Sequence, residues 1–101
     1  MRFSQVKEAD AIRFAKLDGS DISFVEPFLD AAKGFVKHYT GLKDHELDFY
    51  PELSIAVLVM FTDMYDNRSM TVEQAAENRT AKAILDMHCR NLIAGEGDAD
   101  G

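Results

Sequence analysis

Cysteine occurs once, at Cys89, and a lone thiol closes no intramolecular disulfide, so nothing points to an oxidising compartment. Positive charge is scarce: 11 Lys and Arg stand against 18 Asp and Glu, for a net charge of −7. Duplex-DNA readers draw affinity from Lys and Arg that neutralise phosphates, and anionic membrane surfaces recruit the same residues. Both roles are therefore disfavoured. Long apolar runs are missing as well. Ile55 to Phe61 lacks any polar side chain, but it falls far short of the roughly 20 residues that a membrane-spanning helix needs. There is no Gly-rich phosphate loop, no His-Glu-x-x-His, no nucleophile elbow and no Cys pair, so neither a catalytic nor a cofactor-binding site is expected. The start, Met1-Arg2-Phe3-Ser4-Gln5, shows no signal-peptide or lipidation pattern, which predicts a protein made and folded in the cytosol.

What is present fits one folded domain. A chain of 101 residues that is 47% hydrophobic can build one modest core. The stretch around which it is organised is 51–68. Pro51 suits a first helical turn, Glu52 sits where the helix dipole favours negative charge, and Asn67 is expected to end the helix in a left-handed conformation. Projected on a helix, Leu53, Ala56, Val57, Met60, Phe61 and Met64 form one apolar face. Ile55, Leu58, Val59 and Tyr65 form a second, interrupted by Thr62 and Asp66. A helix apolar all round must be covered all round. Either it is the middle of a small bundle, or another copy of the chain buries its second face.

Residues 22–40 form the other long helix. Its apolar and polar residues divide cleanly between two halves of the wheel, with Gly41 as the stop. Pro27 requires that the helix start close before it or bend there. A short helix is expected over Val6 to Phe14 and a loop over Leu17 to Asp21. Residues 42–50 read as a solvated acidic link, pinned to the core by Leu47 and Phe49. Thr71-Val72-Glu73-Gln74 matches a capping box, and a last helix is expected from Thr80 to Ile93. The Gly-rich acidic segment 95–101 is expected to be disordered. The chain is thus predicted to be all-α: a small bundle with long helices near 22–40 and 50–67, shorter helices at either end, one domain over 1–94 and an acidic tail.

Residues able to do chemistry have structural roles open to them. His38, Asp44, His45 and Glu46 have no recognised metal-ligand spacing. Asp18 and Asp21 lack the rest of a calcium loop. His88 reads as a hydrogen-bonded boundary histidine, and Cys89 has no visible base to activate it. Asp63 and Asp66 are expected to hold Arg68 or face water. Met60, Met64, Met70 and Met87 read as core or interface filler.

Two stretches resemble a known family. Ala31-Ala32-Lys33-Gly34-Phe35-Val36-Lys37-His38-Tyr39-Thr40-Gly41 looks like a helix end of the small head–tail connector proteins of long-tailed bacteriophages. Pro51-Glu52-Leu53 through Met64-Tyr65-Asp66-Asn67-Arg68 is similar to their second helix. The likeness covers roughly residues 10–93. The chain departs from the family at Pro27, and it lacks the proline that often precedes the last helix. The resemblance implies a non-enzymatic virion protein at the head–tail junction. It would form a homo-oligomeric ring below the portal protein, extend the channel for double-stranded DNA without reading its sequence, and dock the next head-completion or tail protein. Ile55, Leu58, Val59 and Tyr65 are then candidates for the intersubunit face, and Arg68 for anchoring the helix end. The alternative from another class is a small acidic helical regulator that binds a basic protein partner.

Overall fold

The structure is a computed structural model that describes residues 1–16 and 24–89. A 3-10 turn (Phe3–Gln5) leads into six α-helices among the described residues: α1 (Glu8–Ala15), α2 (Val25–Thr40), α3 (Asp44–Leu47), α4 (Glu52–Asp66), α5 (Val72–Ala76) and α6 (Arg79–Met87). The described residues hold no strand, and the all-α bundle with two long helices is what the sequence predicts. The expected loop over Leu17–Asp21, the first residues of the 22–40 helix and residues 90–101 lie outside the described residues. The last helix, expected to reach Ile93, ends at Met87, with His88 as its C-cap and Cys89 already outside it.

The α4 helix is the hub. Phe28, near the start of α2, meets Tyr65, near the end of α4, with ring centroids 6.0 Å apart and an edge-on geometry, so the two long helices run antiparallel. The α6 helix is antiparallel to α4 as well: Asn78 at its start bonds Asp63, and His88 at its end bonds Glu52. The helices α1 and α5 pack on both α2 and α4. Leu53, Ala56, Val57, Met60 and Phe61 are fully buried in the resulting core.

Local chemistry explains the boundaries. Phe24 is the N-cap of α2, so Pro27 falls in the first turn, where its missing N–H costs nothing. Gly41 ends that helix with φ 71°, a left-handed conformation that glycine adopts without strain. Thr40, at the same end, is buried but satisfied: its hydroxyl donates to the Val36 carbonyl at 2.8 Å and accepts from the Leu42 N–H at 3.3 Å. The capping box at Thr71 forms as expected, with reciprocal bonds to Gln74 of 3.1 and 2.9 Å. Ser54 and Thr62 sit on the apolar helix α4 by donating back to the carbonyls of Pro51 and Leu58.

Three further expectations are corrected. The 42–50 link is not simply a solvated loop: α3 forms there, because the Glu46 carboxylate accepts the Lys43 N–H at 2.9 Å and closes a turn. Leu47 does enter the core, but Phe49 is 72% exposed. Two residues on from Leu47, it points to the opposite side of the chain. Asn67 is extended (φ −131°) rather than left-handed. Its side-chain oxygen accepts from the N–H and hydroxyl of Ser69 while its carbonyl accepts the Met70 N–H at 2.9 Å, so side chain and backbone close the turn together without a left-handed residue.

Candidate functional site

Helix α4 presents four residues of interest, and the structure divides them. Leu58 and Tyr65 are each 7% exposed, buried by the chain itself, so their apolar character requires no second copy to cover it. Ile55 is 45% exposed and Val59 half-buried. With Thr62 and the exposed Asp66 they form a stripe along the helix, spaced at four, three and four residues, that remains open to solvent. Of the two ways of covering the second face of α4, the first accounts for half of it. The small bundle covers Leu58 and Tyr65, and leaves Ile55 and Val59 accessible.

Just past the end of α4, the Arg68 guanidinium lies over two aromatic rings, 4.5 Å from the Tyr65 centroid and 5.0 Å from that of Phe24. Phe24 in turn stacks on Phe28 at 5.8 Å. This ties the end of α4 to the start of α2 by cation–π attraction. Of the two carboxylates expected to hold Arg68 or face water, Asp66 is exposed and Asp63 accepts from the Asn78 side-chain amide at 2.8 Å.

His88 and Cys89 are structural in geometry. The His88 Nε2 is 2.8 Å from the Glu52 carboxylate, and its ring packs at 4.3 Å on Tyr50. The Glu52 carboxyl is held below its usual range, first by its own backbone N–H at the helix start and then by His88. Cys89 is buried and its thiol donates to the Tyr39 carbonyl at 3.1 Å. Asp44 pairs with Lys37 at 2.7 Å. No group of three His, Cys, Asp or Glu able to hold a metal ion exists among the described residues, and no described helix is long and apolar enough to cross a membrane. Of the four methionines read as filler, Met60 and Met64 are buried and Met70 is half-buried, whereas Met87 is 69% exposed.

A narrow cleft of about 180 Å³ opens between α2, α5 and α6, lined by Phe35, Tyr39, Glu73, Ala76, Glu77, Lys82 and Leu85. Phe35 and Tyr39, one helical turn apart, stack with centroids 5.6 Å apart and planes 17° from parallel. The Tyr39 hydroxyl donates to Asp86 at 2.8 Å, and this bond, reinforced by burial, pushes the phenol up to about 12.

No family model, curated protein or solved structure matches the chain.

Several of these positions escape a reading of sequence alone. Asn78 caps α6, its side-chain oxygen accepting from the N–H groups of Thr80 and Ala81. The available signal was an Asn followed by good helix formers. The Phe35–Tyr39 pair was legible as an i, i+4 aromatic spacing. Its acidic surroundings were not, because Glu73 and Glu77 lie over thirty positions away in the chain.

Proposed function

We propose that this chain is a structural head–tail connector of a long-tailed bacteriophage. It is a non-enzymatic subunit that assembles as a ring below the portal protein, extends the DNA channel and docks the next head-completion or tail protein. The reading is supported by the family resemblance of residues 31–41 and 51–68, the two stretches that pack as the antiparallel pair α2 and α4. The single observation that carries it is the apolar pair of exposed Ile55 and half-buried Val59, left accessible on the solvent-facing stripe of the helix at the centre of the bundle. Covering such a face with a different surface of an identical copy is a head-to-tail contact, and such contacts close into rings when the rotation permits. A net charge of −7 suits a channel wall that repels the DNA backbone and lets it slide.

The test is electron microscopy of the purified chain mixed with the portal protein of the same virus. Rings seated on the portal are expected with the wild-type chain and absent with Ile55→Asp, whose circular dichroism stays helical. A chain that remains monomeric or dimeric with the portal present overturns this reading and favours the acidic regulator.

A further inference from the structure

The cleft between α2, α5 and α6 is more enclosed than the broad troughs beside α1 and beside Gly34. Its floor is aromatic: the stacked, half-buried rings of Phe35 and Tyr39. Its rim is acidic. Neither the Glu73 nor the Glu77 carboxylate has a hydrogen-bond or ion-pair partner among the described residues. The cation on the rim, Lys82, lies 3.7 Å from Asp86, which also accepts the Tyr39 hydroxyl. The one lining ammonium is thus already paired with Asp86, which lies outside the lining, and the unpartnered Glu73 and Glu77 leave the recess with excess negative charge beside the aromatic rings.

Size and chemistry narrow the occupant. At about 180 Å³ the cleft is below the roughly 300–1,000 Å³ of small-molecule and cofactor pockets, and is on the scale of one side chain. A metal ion has no use for the aromatic floor, and among the described residues there is no three-ligand set to hold one. A guanidinium uses every part. Its plane stacks on a ring while its N–H fork reaches carboxylates, which the compact lysine ammonium does not do together. The fold already holds one guanidinium over aromatic rings, where Arg68 lies over Phe24 and Tyr65. We infer that the cleft is a docking site for an arginine side chain presented by a protein partner. No residue of α4 lines it, so the inference stands apart from the ring assembly.

The test is an NMR titration of the full chain with a capped Gly-Arg-Gly peptide, its citrulline and lysine counterparts, and free arginine. The arginine peptide is expected to bind in the millimolar range and to shift amides of Phe35, Tyr39, Glu73 and Glu77. Citrulline, isosteric but neutral, should not bind. Lysine should bind more weakly, and so should free arginine, whose α-carboxylate meets Glu73 and Glu77. The double variant Glu73→Gln, Glu77→Gln changes only exposed side chains and should weaken the peptide about tenfold. Phe35→Leu should weaken it about threefold, on the scale of one exposed cation–π contact. Absence of these shifts, equal shifts with citrulline, or unchanged affinity in the double variant overturns the site. Equal binding of the lysine peptide overturns guanidinium selectivity, and equal binding of free arginine overturns a protein-borne ligand.

Discussion

Tyr39 keeps its proton because Asp86 needs it as a donor. A phenol whose pKa rises from 10.0 to about 12 on folding contributes stability that is fully present below pH 10 and is lost as pH climbs through 12. Asp86→Asn should bring the titration of Tyr39 back toward 10, read from the phenolate absorbance. Thr40 makes a sharper demand. Replacing it by Val keeps the shape but leaves the Leu42 N–H without its acceptor, and should cost about 1–3 kcal/mol in urea denaturation. Such roles are only half legible in sequence. Gly41 after a clean apolar wheel announces the helix end, whereas nothing in the letters says that Thr40 is the polar residue turned inward beside it.

At the scale of the element, two substitutions on α4 separate its faces. In the isolated subunit Leu58→Asp places a charge where the side chain is 7% exposed and should unfold the chain. Ile55→Asp, at 45% exposure, should leave the urea midpoint nearly unchanged. On α2, a Cβ added at Gly34 meets nothing within 4 Å, so Gly34→Ala should raise stability by about 0.5–1 kcal/mol, the helical cost of glycine. The periodicity of 22–40 and 51–68 made both long helices readable, since their apolar residues repeat over several turns. Helix α3 was not readable from periodicity. A single turn has no period, and it rests on one Glu46 carboxylate reaching back to the Lys43 N–H. The open stripe on α4 was illegible for a different reason: whether Leu58 or Ile55 is covered depends on where α1, α2, α5 and α6 lie, not on α4.

The whole molecule is tied together by contacts that no local pattern foretells. The Ser4 N–H and hydroxyl both donate at 2.8 Å to Asp48, which lies 44 positions away. These bonds hold the Asp48 carboxyl below its usual range, as the start of α4 and His88 hold Glu52. Depressed carboxyls stabilise the fold above their ordinary values, 3.8 and 4.5, and that contribution is lost as pH falls through the lowered ones. The thermal midpoint should therefore drop on acidification below about pH 4.5, and Glu52→Gln should flatten part of that drop. Helix α6 carries the last consequence. It is fastened at both ends, Asn78 to Asp63 and His88 to Glu52. At 1.5 Å per residue the two spans measure about 15 and 16 Å, a close match of lengths. A rod riveted at matching points cannot slip by one turn without shearing both rivets. In hydrogen exchange, α6 should open as a single unit or not at all.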